Sequence, residues 1–407
     1  MRRNILVVFG TRPEAIKLCP VVLHLGRFPE AYRIRVCVTG QHRRMLDQVL
    51  AAFRVTPDRD LDLMLPGQTL AQSTSRAVAA LDPVLEAEQP DMVIVQGDTT
   101  TTLAGALAAF YRRIPVGHVE AGLRTGDFAQ PFPEEMNRVL TTRLAALHMA
   151  ATEMAAANLC REGVPVTDIA VTGNTVVDAV LHVRDGLESG RVPHPEWPWL
   201  DPRKRLILVT MHRRENFGGG LERICQALLA LAARADVQIV CPVHPNPRVQ
   251  DPVQRLLGAH PGIRLVEPLD YVPFVDLTRR AFILITDSGG VQEEGPSLGK
   301  PILVLREKTE RPEAVAAGTV KLVGADPRRI LAGASELLDD PAEYARRARV
   351  HNPYGDGHAS ERIEIAIRSF FEIKSASGSP EKTAIPADFA RVERLSGIHW
   401  HFRRKCR

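Results

Sequence analysis

Short aliphatic segments alternate with longer helical patterns along most of the chain. These segments are four to six residues long, rich in Val, Ile and Leu, and cover 5–9, 34–39, 92–96, 116–119, 206–210, 238–242, 282–286 and 302–305. Such alternation is typical of βαβ units, in which parallel strands form a sheet that helices cover on both faces. The sequence therefore predicts an α/β fold built on parallel sheets.

The segments fall into two sets, separated by a stretch without clear periodicity. Residues 181–203 are rich in Pro, Gly, Trp and charge. We therefore predict two doubly wound, Rossmann-like domains that face each other across a cleft. The predicted divisions are an N-terminal domain (1–172), a C-terminal domain (173–357), a helix over about 358–374 that packs back on the first domain, and a flexible basic tail (375–407).

Composition and charge exclude several classes of protein. No apolar run approaches the roughly 18 residues that span a bilayer, and the six cysteines form no CxxC pair, so we expect a cytoplasmic protein without disulfides or a metal site. The net charge is +4, but residues 375–407 contain seven Lys or Arg and three Asp or Glu, so the rest of the chain is neutral. Neutrality of the folded body argues against nucleic-acid binding, which needs a basic face.

Polar residues that follow the predicted strands are the first candidates for a functional site, because ligands of parallel sheets bind at the carboxyl ends of the strands. After the first strand comes Gly10, followed by Arg12 and Lys17 near the start of a helix. This arrangement suits a phosphate group, although two solvated bases on a surface helix are an equally good interpretation. The sequence lacks a GxGxxG fingerprint, and we predict no nicotinamide or other cofactor.

Two carboxylates follow neighbouring strands. Asp98 comes after the strand at 92–96, and Glu120 after the strand at 116–119. Asp98 alone could simply cap the next helix. With Glu120 beside it, the pattern favours acid–base chemistry, since carboxylates that share a cleft raise one another's pKa.

Two further segments contain candidate polar residues. Glu134 and Arg138 have the i, i+4 spacing of one helix face, which also fits a surface ion pair. His212 follows the apolar strand at 206–210 and has polar neighbours, which is unusual for a core histidine.

The strongest nucleotide signal is the strand-to-helix turn Ser288-Gly289-Gly290. Bare backbone amides at such a turn suit a diphosphate. Glu294, one helical turn later, is placed to accept hydrogen bonds from the hydroxyls of a ribose, and Arg311 can add positive charge. The alternative is a tight turn that Ser288 merely caps.

Taken together, these segments resemble the non-hydrolysing bacterial UDP-N-acetylglucosamine 2-epimerases, a family of the two-domain glycosyltransferase-B type. The resemblance runs from about residue 4 to about residue 371. It includes, in family order, GTRPEAIK, GDTTTT, PVGHVEAGLRTG, PEEMNR, HRREN, PVHPNP, TDSGGVQEE, TERPEA and HNPYGDG.

The resemblance implies roles for individual residues. The UDP contacts would be Arg12, Lys17, His212, Phe274, Ser288, Gly289, Gly290, Glu294 and Arg311. The catalytic set would be Asp98, Glu120, Glu134, Arg138 and His212, and a second, allosteric UDP-sugar pocket would include Gln41, His42, Arg213 and His244. The resemblance also implies a homodimer without a metal or cofactor.

The implied reaction eliminates UDP from UDP-N-acetylglucosamine to give 2-acetamidoglucal and re-adds UDP to give UDP-N-acetylmannosamine. Four alternatives remain open from the sequence. They are a 2-epimerase of a modified sugar such as a 2,3-diacetamido uronic acid, a hydrolysing 2-epimerase, a glycosyltransferase, and a non-catalytic nucleotide-sugar sensor.

Overall fold

The protein is described here by a computed structural model that covers residues 2–40, 43–309 and 311–376. Within these ranges the chain forms thirteen strands, β1 (Arg3–Phe9), β2 (Tyr32–Val38), β3 (Arg59–Asp60), β4 (Met92–Gln96), β5 (Val116–Ala121), β6 (Leu147–Ala150), β7 (Ile169–Val171), β8 (Arg205–Thr210), β9 (Val237–Pro242), β10 (Ile263–Val266), β11 (Ile283–Thr286), β12 (Ile302–Val304) and β13 (Val320–Leu322).

Helices connect the strands and flank them on both sides. Those in the described ranges are α1 (Arg12–Leu25), α2 (Arg43–Phe53), α3 (Leu70–Glu88), α4 (Thr100–Tyr111), α5 (Glu134–Leu144), α6 (Glu153–Arg161), α7 (Thr175–Glu188), α8 (Gly219–Ala232), α9 (Pro247–Leu257), α10 (Tyr271–Arg280), α11 (Gly289–Glu294), α12 (Pro312–Ala317), α13 (Pro327–Asp339), α14 (Pro341–Ala348) and α15 (Ala359–Ala376). None of the described helices is long and apolar enough to cross a membrane.

The strands form two all-parallel sheets, as predicted. Their orders are β3-β2-β1-β4-β5-β6-β7 and β10-β9-β8-β11-β12-β13. Each order reverses direction at one place, between β1 and β4 in the first sheet and between β8 and β11 in the second. Ligands of doubly wound sheets bind outside the carboxyl ends of the strands at this switch point. The candidate residues after 5–9, 92–96, 206–210 and 282–286 therefore stand where the topology favours a ligand.

Alternating side chains of the central strands enter two different hydrophobic cores. In β1, Ile5, Val7 and Phe9 pack in one cluster and Leu6 and Val8 in another. Successive side chains of a strand point to opposite faces of the sheet, and helices cover both faces here. This double burial explains the continuous apolar runs from which the strands were predicted.

Helix α7 lies between the two halves of the molecule. It packs against α1 of the first half and against α10 and α11 of the second. Helix α15 packs on α1 and α7, and the Asp178 carboxylate of α7 accepts hydrogen bonds from the backbone N–H groups of Ala359 and Ser360 at its start. The last helix therefore returns to the N-terminal half. The domain division at 172 stays a prediction, and most of the predicted tail (377–407) lies outside the described residues.

Candidate active site

A cavity of about 200 Å³ opens between the carboxyl ends of the two sheets. It is lined from the first half by Arg12 and Ile16 and from the second half by Thr210, His212, Tyr271, Phe274, Ser288, Gly290, Val291 and Glu294. Arg12 also reaches across to the second half, where its guanidinium donates to the backbone oxygen of Leu269 at 3.3 Å. The structure thus brings together Arg12, His212, Phe274, Ser288, Gly290 and Glu294 of the predicted UDP contacts.

The turn before α11 is open to a ligand. Ser288 is the N-cap residue, but its side chain makes no capping hydrogen bond within the described chain, so the interpretation of Ser288 as a mere helix cap is wrong. A side-chain carbon added at Gly289 would lie 3.6 Å from a guanidinium nitrogen of Arg311 and 3.9 Å from one of Arg213. Two cations therefore lie beside backbone without side chains, which suits an anionic group.

His212 is oriented by a buried carboxylate. Its Nδ1 lies 3.1 Å from Oδ1 of Asp287, and the backbone N–H groups of His212 and Arg213 donate to Oδ1 and Oδ2 of the same carboxylate. Burial raises the pKa of Asp287, but the hydrogen bond and charge of His212 outweigh it and hold the pKa below its usual value. If Nδ1 donates to Asp287, Nε2 remains for a ligand. The sequence analysis missed Asp287, although it follows β11 directly, beside β8.

Glu120 is held by a lysine and two amides. Lys17 Nζ lies 2.6 and 2.8 Å from the two carboxylate oxygens, and the side-chain amides of Gln96 and Asn174 also donate to them. Glu120 has φ 62°, a left-handed conformation that is rare outside glycine. Strained backbone that closes a buried network is typical of a functional position.

Asp98 is bound by Arg138 from α5. The Arg138 guanidinium donates to the Asp98 carboxylate, and Asn137 donates to the Asp98 backbone oxygen at 2.9 Å. The N-cap of α4 is Thr99, so the interpretation of Asp98 as that cap is wrong. Each strand-end carboxylate therefore has a cation of its own, whereas the sequence favoured a pair that act on each other.

The i, i+4 spacing suggested that Arg138 pairs with Glu134, but in α5 its partner is Glu135. Arg138 pairs at 2.9 Å with buried Glu135, which accepts hydrogen bonds from the backbone of Thr125 and Gly126. Glu134 is half-buried at the first residue of α5. Glu135 therefore fixes the loop that precedes α5, a role that the sequence analysis did not assign.

A buried ion-pair network connects the two halves. Glu293 of α11 pairs with Arg311 and, at 3.7 Å, with Lys17 of α1. Burial lowers the pKa of Lys17, but the charges of Glu120 and Glu293 outweigh it and raise the pKa overall. Lys17 and Arg311 were predicted to contact UDP, and in this structure both bind Glu293, which the sequence analysis missed.

Two more carboxylates adjoin the site. Glu14 is buried, accepts hydrogen bonds from Gly10, Thr11, Thr99 and Thr102, and so ties the turn after β1 to the start of α4. Burial and the charge of Glu293 raise the pKa of Glu294 to about 8. A ribose that donates two hydrogen bonds to Glu294 would favour its charged form again.

The predicted allosteric residues are only partly described. Gln41 and His42 lie outside the described residues. The His244 ring stacks on His212, with centroids 6.0 Å apart, and Arg213 lies beside Gly289. The two described members thus adjoin the main cavity.

Comparison with known proteins assigns the chain to a family. Residues 28–368 match the family model described as UDP-N-acetylglucosamine 2-epimerase, and the chain is 55 % identical over 372 residues to the enzyme of that name from Salmonella typhimurium, with 90 % of this chain and 99 % of that one covered. The chain belongs to the UDP-N-acetylglucosamine 2-epimerase family.

Solved structures of this family share the fold. The Neisseria meningitidis UDP-GlcNAc 2-epimerase bound to UDP-GlcNAc is 46 % identical, with a TM-score of 0.83 over 91 % of this chain and 100 % of that one. The glycotransferase of kitacinnamycin, 15 % identical with a TM-score of 0.59 over 90 % and 99 % of the two chains, shares the fold alone. The predicted two-domain glycosyltransferase-B architecture is thereby confirmed.

One buried histidine, His118, is part of the motif GHVEAG, and a second, His148, is its neighbour on the next strand. His118 and His148 face each other on β5 and β6, and Nδ1 of each ring has no hydrogen-bond partner among the described residues. The His118 Nε2 lies 2.7 Å from the Gly97 oxygen and so donates to it. Burial lowers the pKa of His118 to about 4 and that of His148 to about 3.

Because these two buried histidines resist protonation, we expect the folded protein to lose stability in acid. The folded protein resists protonation of these rings, whereas the unfolded chain takes up a proton near pH 6.5. The free energy of unfolding is therefore highest above pH 6.5 and falls as the pH drops toward the folded pKa. We expect each ring to reduce the free energy of unfolding by roughly 2 to 3 kcal/mol between pH 6.5 and pH 4. His148→Leu should flatten the decline in unfolding temperature over this range, measured by calorimetry against the wild type. An unchanged decline would contradict the assignment.

Proposed function

We propose that this chain catalyses the reversible epimerisation of UDP-N-acetylglucosamine to UDP-N-acetylmannosamine at carbon 2. Family membership supports the substrate, and one structural observation carries the chemistry. The carboxylates of Asp98 and Glu120 stand at the ends of the adjacent strands β4 and β5, and Lys17, which binds Glu120, follows Ile16 of the cavity wall on α1. The opposite wall of that cavity carries His212 and the Ser288 turn. Acid–base groups thus adjoin a site for a nucleotide diphosphate.

The proposed reaction proceeds by elimination and re-addition. A base removes the C2 proton, the electrons of the C2–H bond form the C1=C2 double bond of 2-acetamidoglucal, and UDP leaves with the electrons of the C1–O bond. UDP then bonds to C1 again while C2 receives a proton on its opposite face. This route needs no redox cofactor, and it needs proton-transfer groups on both faces of the sugar.

The residues at the site supply these needs. Asp98, Glu120 and Glu134 are the candidate acids and bases, each worth about 100-fold to 10,000-fold in rate for such a role. Arg12 and Arg311, with the amides of the Ser288 turn, are placed to stabilise the charge on departing UDP. His212, held by Asp287, is placed to stabilise or protonate the diphosphate.

Three finer features belong to the same proposal. A second UDP-sugar would bind as an activator beside His212 through Arg213 and His244. The protein would act in the cytoplasm as a homodimer. Exposed apolar side chains on the packed helices α3, α4 and α5 support the dimer, namely Leu70, Phe110, Tyr111 and Leu140.

The proposal is tested by incubation with UDP-N-acetylglucosamine alone in deuterated water. Proton NMR follows carbon 2 and the anomeric signals. We expect UDP-N-acetylmannosamine to accumulate to equilibrium and deuterium to enter carbon 2 of both sugars, because the abstracted proton exchanges with solvent while the glycal is held. Omission of any acceptor excludes glycosyl transfer as the source of the signal.

Other outcomes separate the alternatives. Free N-acetylmannosamine with stoichiometric UDP would identify a hydrolysing enzyme, in which water captures the glycal. Absence of exchange at high substrate concentration would overturn the assigned substrate and direct the same assay to 2,3-diacetamido uronic acid nucleotides.

A further inference from the structure

Asn174 joins the catalytic carboxylate of one half to the ion-pair network of the other. It lies at the first crossing between the two halves, as the N-cap residue of α7. Its Nδ2 lies 3.3 Å from Glu120 Oε1 and 3.2 Å from Glu293 Oε2. One amide group therefore donates to a carboxylate of β5 in the first half and to a carboxylate of α11 in the second half.

The side chain is buried and fully engaged. Asn174 is 3 % exposed, and its Oδ1 accepts from the backbone N–H of Val176 at 3.0 Å. Its own backbone N–H donates to the Tyr354 oxygen at 2.7 Å. These contacts fix the amide orientation, because a flipped amide would place its oxygen against both carboxylates and its NH₂ group against the Val176 N–H.

The contact is chemically selective. Only an amide of this length offers an acceptor to the helix start and two donors to the carboxylates. Serine keeps the cap but has a single hydroxyl hydrogen on a shorter side chain. Aspartate keeps both the cap and the length but turns the donor into an acceptor.

We propose that Asn174 is a positioning residue whose amide binds Glu120 to Glu293, and so sets the place of the catalytic carboxylate relative to the UDP-binding half. The inference rests on the proposed function. Nucleotide that engages Arg311, the partner of Glu293, would thereby act on the same network that holds Glu120.

Asn174→Asp separates this role from simple helix capping. The new carboxyl oxygen would lie near 3.2 and 3.3 Å from two carboxylate oxygens. The other charged or titratable groups around it are Lys17, Arg311, Glu313 and Tyr354. Because its nearest neighbours are anionic, its folded pKa should exceed the unfolded value near 3.9, and stability relative to the wild type should be lost as the pH rises through that folded pKa.

A matched control is Asn246→Asp at the start of α9. Asn246 Oδ1 accepts from the Arg248 N–H at 3.0 Å, which is the same capping contact, but this hydrogen bond is exposed to solvent and the residue is only half-buried. An aspartate cap favours a helix most when it is ionised. We expect the unfolding temperature of Asn174→Asp to fall further below the wild type at pH 8 than at pH 5, while Asn246→Asp shows no such divergence. If the unfolding temperatures of the two variants change with pH in the same way, the proposed contact of Asn174 with Glu120 and Glu293 is wrong.

Activity tests the positioning role separately. At pH 8, Asn174→Asp and Asn174→Ser should each lower kcat for C2 deuterium exchange at least 10-fold, with KM changed less than 3-fold. Wild-type kcat in a folded Asn174→Asp variant would refute positioning while leaving the epimerase assignment intact. If the wild type itself exchanges nothing, the proposed function fails, and the positioning inference that rests on it fails too, while the thermal comparison still decides the contact.

Discussion

Replacing Glu120 with glutamine is expected to slow deuterium exchange at carbon 2 at least about 1,000-fold. Glutamine has the same shape but cannot take a proton at neutral pH. Its side-chain oxygen can still accept from Lys17 and Asn174, and the Gln96 amide can turn its own oxygen toward the new NH₂ group, so the local fold should persist. A slower exchange would therefore result from a slower chemical step and not from a change in the local fold.

Binding of UDP distinguishes lost chemistry from lost structure. Glu120 adds negative charge beside Lys17, and its removal should leave the affinity for UDP equal or increased, measured by calorimetry. Glu86→Gln is the matched control. Glu86 lies on α3, its side chain is 71 % exposed, and it also pairs with an arginine, Arg112. A folded Glu120→Gln protein that binds UDP and exchanges within 10-fold of the wild type would exclude Glu120 as the base and leave Asp98 and Glu134.

The sequence predicts the frame of the site because that frame depends on local signals. Strands buried on both faces read as unbroken apolar runs, and their carboxyl ends mark where ligands bind. All eight predicted strands are present, and Asp98, Glu120, His212 and Ser288 follow four of them. The strands that were missed are two to four residues long, and none contains an unbroken run of four apolar residues like those at 282–286 and 302–305, namely β3, β6, β7, β10 and β13.

The partners of these residues are set by tertiary structure, which the local pattern does not encode. Glu293 and Glu294 are adjacent in the sequence, and nothing in the local pattern separates their roles. In α11 the Glu293 carboxylate pairs with Lys17 and Arg311, whereas Glu294 lines the cavity. Asn174 lies close to the predicted domain division at 172, and the sequence pattern assigned it no role. Its two carboxylate partners lie 54 and 119 residues away.

The same distinction applies to Lys17 and Arg138. The resemblance implied a role for each, which stays a prediction, and the structure shows each bound to a carboxylate at the end of a strand from another segment of the chain. Pairing of Asp98 with Arg138 and of Glu120 with Lys17 lowers the cost of burying these two carboxylates. These cations are therefore already bound to carboxylates of the chain, and a diphosphate would compete with those carboxylates for them.

The largest effect on stability is expected at Gly122, in the motif that contains Glu120. Gly122 has φ +88°, and a side-chain carbon there would lie 2.8 Å from the Ala155 carbonyl carbon, closer still to its oxygen, and 2.9 Å from Leu159 Cγ. Backbone of α6 blocks the space, so rotation of a side chain cannot relieve the overlap. Gly122→Ala should cost about 4 kcal/mol, the sum of overpacking and left-handed strain.

Comparison with Gly163→Ala separates the cost of steric overlap from the cost of the left-handed backbone conformation. Gly163 follows the same helix, α6, with φ +84°, and apart from Gly163 itself and its two chain neighbours no described atom lies within 4 Å of an added carbon. Its variant should lose about 1 kcal/mol from backbone conformation alone. Calorimetry should therefore place the unfolding temperature of Gly122→Ala roughly 5 to 10 °C below that of Gly163→Ala. Because Gly122 is two residues from Glu120, the repacked turn should also displace the carboxylate from Lys17 and lower C2 exchange. Equal unfolding temperatures for the two variants would mean that β5 and α6 are not in the contact described.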